Sequence, residues 1–302
     1  QLANNSNELA AHGNVNKQNQ NFQFVSKSLA RDAQEILTWY ELERYDEARF
    51  VLHNFTENCI TCHSQHQDEK NFPGAQAFFK NVEIKKLPLV ERAQIQIATR
   101  QFDDALKTYE EFFASEEFSP AQMALMDAFT DYLKVSIRVK NDVKRPVPVL
   151  EKWVKRPGVP EYMKSHINDW IIALKDIQKS NPYKGNALTN AKNLMKKAQT
   201  APDVTLNRAK LVYFIAASGL LLDVVDSGKG DKTQFGEAYY LLGICESIVG
   251  RSFWISETEF FLEAAIRSAP GSQSAQKAYV LLEEQVVSEF SGSSGTHVPA
   301  DM

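Results

Sequence analysis

The chain has 302 residues, of which 43% are apolar and 24% charged, with a formal net charge of −4. These proportions are those of a globular chain, and they exclude a strongly basic nucleic-acid binder and a disordered polyelectrolyte. The longest apolar stretches, such as residues 211–225, are broken by small or polar side chains and are too short to span a bilayer.

Residues 1–23 are rich in Asn and Gln and carry little apolar periodicity, which predicts a flexible N-terminal arm or a poorly ordered first helix. From Phe24 the pattern turns helical, with Val25, Leu29, Ile36, Leu37 and Tyr40 at spacings of three and four. The run Glu43-Arg44-Tyr45-Asp46-Glu47-Ala48 predicts a tight turn into a second helix, whose apolar stripe continues through Phe50, Val51, Phe55 and Ile60. Near the end of that helix stands Cys59-Ile60-Thr61-Cys62-His63. A linker ending at Pro88 leads to helices over 89–100 and 102–114. Ser119-Pro120 then opens a helix expected to run to about Val139, with Ser as N-cap and Pro in the first turn. Pro146, Pro148, Pro157 and Pro160 keep the next helices short, and 166–177 reads as one more. Asn181-Pro182 marks the expected domain boundary. Helices follow over 186–200, 205–225, 233–249, 255–268 and 272–290, and residues 291–302 read as a disordered, linker-like tail. No run of alternating β-branched residues predicts a strand, so the expected fold is all-α. Its expected divisions are an arm (1–23), a hairpin carrying the Cys-His motif (24–85), a helical repeat region (86–182) and a second repeat-like region (183–290).

The Cys59, Cys62 and His63 spacing is the attachment signature of a haem c. Each thiol adds across one vinyl group of the porphyrin, and the next residue's imidazole reaches the iron as proximal ligand. A structural zinc site needs four ligands, and Cys245, His12, His53, His66, His166 and His297 form no second half-site. A thioredoxin-like dithiol needs a βαβ setting, which the helical flanks do not provide. The expectation is one covalent haem on Cys59 and Cys62, with His63 on the iron.

On these residues the chain resembles the monohaem c-type cytochromes. The helix-then-motif order over 46–65 is similar to class II members, although over 230 residues follow the motif. The resemblance implies electron transfer rather than catalysis, and a periplasmic or otherwise extracytoplasmic setting. The start at Gln1, with no basic and apolar leader, fits an expected mature form from which a signal peptide has been removed. Glu237-Ala238-Tyr239-Tyr240-Leu241-Leu242-Gly243, with Ala265 and Pro270, resembles a tetratricopeptide repeat, and the Tyr45-Asp-Glu-Ala and Phe102-Asp-Asp-Ala segments resemble the start of the second helix of such units. That likeness implies an α-solenoid that docks to a redox protein or a multi-subunit electron-transfer complex, associated with a membrane complex without crossing the membrane.

For the iron's sixth position, His12 is the candidate distal ligand, since class II relatives take theirs from the first helix. His66 lies on the proximal side, and His53 is on the motif's own helix. Met123, Met126 and Met163 are remote in sequence. The remaining option is an open iron behind Phe72, Phe78 and Phe79, which would make the protein a haem-based gas or redox sensor. The basic run Arg138, Lys140, Lys144, Arg145, Lys152, Lys155 and Arg156 reads either as a stripe steering an acidic partner or as a solvated face. Cys245 reads as a small buried hydrophobe.

Overall fold

A computed structural model describes residues 2–15, 20–63, 83–124, 127–200, 209–249, 257–293 and 295–298. The protein is all-α. The described residues form helices α1 (Leu2–Val15), α2 (Gln20–Glu41), α3 (Tyr45–His63), α4 (Leu89–Ala98), α5 (Phe102–Ala114), α6 (Pro120–Ala124), α7 (Ala128–Leu133), α8 (Pro146–Trp153), α9 (Glu161–Ser180), α10 (Ala187–Thr200), α11 (Ala209–Asp226), α12 (Lys232–Val249), α13 (Glu257–Ser268) and α14 (Gln273–Glu289). Among them, no helix is long and apolar enough to cross a membrane. The chain divides into a unit of residues Gln1–Leu220 and a unit of residues Leu221–Met302.

In the larger unit α1 packs on α2, α2 on α3, α3 on α4 and α4 on α5. The Asn/Gln-rich start takes the helical form of the two expected. It forms α1, which buries Ala3 and Ser6, so tertiary packing supplies what helix propensity lacks. The α2–α3 turn closes with Glu43 in the left-handed region (φ 59°), while Arg44 N–H reaches back to the Trp39 carbonyl. Between α4 and α5, the Thr108 hydroxyl donates to Gln96 Oε1 at 2.8 Å.

Helix α5 buries Phe102, Leu106, Tyr109, Phe112 and Phe113 at the helical repeat. Phe113 stacks on Phe129 with centroids 4.3 Å apart, and Trp153 meets Phe129 edge-on at 4.9 Å. These rings join α5, α7 and α8 in one core. Ser119 and Gln122 exchange a capping box at the start of α6, as the sequence predicts. The single helix expected up to Val139 does not form, however. α6 ends at Ala124, α7 spans Ala128–Leu133, and residues Lys134–Val139 continue it in the wider π form.

Asn181 ends α9 in the left-handed region, and the two compact units of the chain divide further on. Asp176 near the end of α9 accepts from Lys197 Nζ of α10 at 2.6 Å and from the Tyr213 hydroxyl of α11 at 3.0 Å. This clamp ties α10 and the start of α11 to the larger unit, and the division falls inside α11.

In the smaller unit α12, α13 and α14 pack pairwise. A Cβ on Gly243 would lie 2.7 Å from Leu262 Cδ2, and one on Gly236 would lie 2.8 Å from the Ala269 Cβ. Glycine at both places is what lets α13 approach α12 so closely. The tail differs from expectation as well: Ser291–Gly292 pairs antiparallel with Gly295–Thr296.

Candidate haem-attachment site

The motif fills the last turn of α3, and its residues continue the helix to His63. Positions three apart on a helix lie on one face, so positions 59 and 62 share a face of that turn. Cys59 is half-buried beside the buried Ile60. Burial pushes its thiol up to about 11, against a smaller lowering by its own backbone hydrogen bond. The turn also lies at the C-terminal end of α3, where the helix dipole disfavours a thiolate. A dithiol redox centre needs the opposite: a lowered thiol at a helix N-terminus or beside a cation. The raised thiol of Cys59 is protonated at neutral pH and is not an activated nucleophile. The side chain of Cys62 lies outside the described residues.

His63 is half-buried, and its Nδ1 lies 2.7 Å from the carbonyl oxygen of Ala98. A carbonyl only accepts, so Nδ1 carries a proton and donates; in the neutral ring this puts the lone pair on Nε2. That is the tautomer an axial iron ligand requires.

The acceptor exists because of how α4 ends. Gln101 N–H bonds the Gln96 carbonyl at 2.7 Å, Arg100 N–H bonds that of Ile97 at 2.9 Å, and Arg100 takes φ 60°. This is a Schellman closure, with arginine where glycine is usual. The chain turns away after Thr99, so no backbone N–H of α4 reaches the Ala98 carbonyl, and the imidazole takes that place. No sequence signal names Ala98, because neither its side chain nor a glycine at position 100 marks the turn.

The donor set fits a covalently attached haem c: a protonated thiol at the first cysteine, a shared helical face, and an oriented imidazole with its lone pair on Nε2. Among the described residues no group of three or more His, Cys, Asp or Glu gathers as a metal cluster would.

The other candidates divide clearly. His12 and His53 lie on the backbones of α1 and α3, and their side chains are outside the described residues, as are His66, Phe72, Phe78, Phe79 and Met126. Met123 is buried, and its sulfur accepts from Trp153 Nε1 and Arg156 Nη1, each at 3.5 Å, which engages its lone pairs inside the α6–α8 core. Met163 and His166 are buried on α9. Cys245 is buried on α12.

The basic run is neither a continuous steering stripe nor a solvated face. Arg138 is buried, Lys140 and Arg145 pair with Asp103, and Arg145 also donates to Glu110 at 2.6 Å. Arg156 caps the end of α5 through the carbonyls of Phe113 and Ser115, at 2.6 and 2.7 Å. Burial and the adjacent Glu110 carboxylate push the Tyr132 phenol well up. Lys144, Lys152 and Lys155 alone are exposed. Comparison with protein-family models, with curated proteins and with solved structures gives no match to this chain.

Proposed function

We propose that this chain is a monohaem c-type cytochrome that passes single electrons within an extracytoplasmic redox assembly. The observation that carries the reading is His63, at the end of a CxxCH helix, with Nδ1–H held by the Ala98 carbonyl. Cys59 and Cys62 would hold the haem, and His63 would present Nε2 to its iron. The bound haem supplies one-electron exchange between ferric and ferrous iron. The Ala98 carbonyl orients the imidazole and draws its proton outward, which makes the ring a stronger donor and favours the oxidised state. His12 stays the candidate for the sixth position. The helical hairpins beyond the motif are the surfaces by which such a subunit would dock to a redox partner.

The test is production in a host that attaches haem c, followed by acid–acetone extraction and intact mass. The expected result is one haem that resists extraction, retained through a single thioether in Cys59→Ala or Cys62→Ala and lost when both are replaced. A chain that never gains a covalent adduct refutes the proposal. The ferrous spectrum with and without CO then separates carrier from sensor: an unchanged low-spin spectrum means a sixth protein ligand, and a shift means an open site.

A further inference from the structure

The outer face shared by α12 and α14 carries a feature with no part in haem chemistry. A groove of about 570 Å³ runs between these helices, floored by Tyr240, Ile244, Val280 and Leu281 and edged by Lys277 and Glu284. Along it Val280 is 52% exposed, and Ile248 (44%) and Val287 (41%) follow one turn on from Ile244 and Glu284. Isolated exposed apolar side chains are ordinary, but a group of them along one groove marks an interaction surface. Neither Lys277 nor Glu284 has a charged partner among the described residues.

We infer that this face is a homodimer interface, in which α14 lies antiparallel against α14 of a second copy. The argument is the order of side chains along the groove. Lys277, Val280, Leu281 and Glu284 are symmetric about the midpoint between Val280 and Leu281. A two-fold axis through that midpoint sets Val280 against Leu281 of the second copy. Lys277 and Glu284 each stand 3.5 residues from the axis, about 5 Å along the helix, on the same side of it. Each Lys277 then meets Glu284 of the second copy, and the symmetry makes two such pairs around an apolar centre. A parallel arrangement would set lysine against lysine. An unrelated partner would need no such symmetry, so the pattern selects a second copy.

The test is sedimentation equilibrium of the full chain. The expected result is a dimer at micromolar concentration. Lys277→Glu and Glu284→Lys each weaken it by at least about tenfold, because each replaces two attractive pairs by two repulsive ones. Mixing the two variants restores association, since each supplies the charge the other lacks, and the K277E/E284K double variant dimerises alone. Both positions are exposed, so circular dichroism stays that of the parent chain. Three results overturn the inference: a monomer up to about 100 μM, a dimer indifferent to K277E and to Val280→Asp, or single variants that stay apart on mixing. The measurement does not depend on haem, so its failure leaves the cytochrome reading untouched.

Discussion

The reactivity of Cys59 in the haem-free chain tests whether the motif is an anchor or a redox dithiol. Burial raises this thiol from 9.0 to about 11. At pH 8 that lowers its thiolate fraction about 100-fold. A more basic thiolate is also more nucleophilic, with a Brønsted coefficient of about 0.4–0.5, which returns about six- to tenfold. The net expectation is attack on an aromatic disulfide reagent at least about tenfold slower than in the urea-unfolded chain. Partial burial slows it further. The assay uses Cys62→Ser, so that Cys59 is the accessible thiol beside the buried Cys245. The pH profile is the sharper readout. The folded chain's rate climbs by about one logarithmic unit per pH unit until near 11, whereas the unfolded chain levels off two units earlier. Linkage has the matching sign: the fold favours the protonated thiol, so this stabilisation is present below pH 9 and is lost as pH rises through about 11. Equal profiles for the folded and unfolded chain refute the reasoning. A faster folded chain would signal an activated thiolate and revive the dithiol reading.

Asp176→Ala removes the acceptor shared by Lys197 and Tyr213, and urea denaturation should show a loss of about 1–2 kcal/mol, most of it from the tyrosine hydrogen bond because the ion pair is partly solvated. The same change should lower the Tyr213 phenol from about 12, a value set by burial first and by Asp176 second; an unchanged titration would assign the shift to burial alone. Trp153→Ala empties a site between Phe129 and Met123 and should cost about 3–5 kcal/mol; a loss under about 1 kcal/mol would mean that the α5–α8 core does not close as described. Glu43→Gly should stabilise the chain by up to about 1 kcal/mol in thermal melts, since glycine accepts the left-handed conformation at 59° that glutamate strains to adopt.

The helices could be read from the sequence wherever a single local rule decided them. Helix α5 begins at Phe102 and ends at Ala114 as its periodicity predicts, and Ser119 caps α6 as its side chain dictates. The misreadings share one cause: side chains distant in sequence overrode the local signal. Asn181-Pro182 is a true helix break, and nothing local shows that Asp176 reaches past it to Lys197 and Tyr213. The π segment after α7 is held by Asp142: its carbonyl accepts from the Ser136 hydroxyl at 2.7 Å, and its N–H donates to the Ser136 carbonyl at 2.8 Å. A periodicity of 3.6 carries no sign of that wider register. The basic run misled for the same reason, because Asp103, Glu110 and the end of α5 lie over 30 residues away from the cations they engage.

At the candidate haem site the sequence names the three candidate residues but not what holds the imidazole. That hold depends on a residue 35 positions away, at an unmarked helix end. Arg100 bends the chain so that the Ala98 carbonyl is left outside α4's own ladder. A half-buried carbonyl without a partner is costly, and so is an imidazole free to rotate in a ligand position. One hydrogen bond resolves both, and it does so in the fold itself, from residues of α3 and α4. The ring is therefore held through its Nδ1–H by the protein's own backbone. The entropy of orienting the imidazole is met during folding, so a haem attached as proposed through Cys59 and Cys62 would meet a ring already oriented by Ala98.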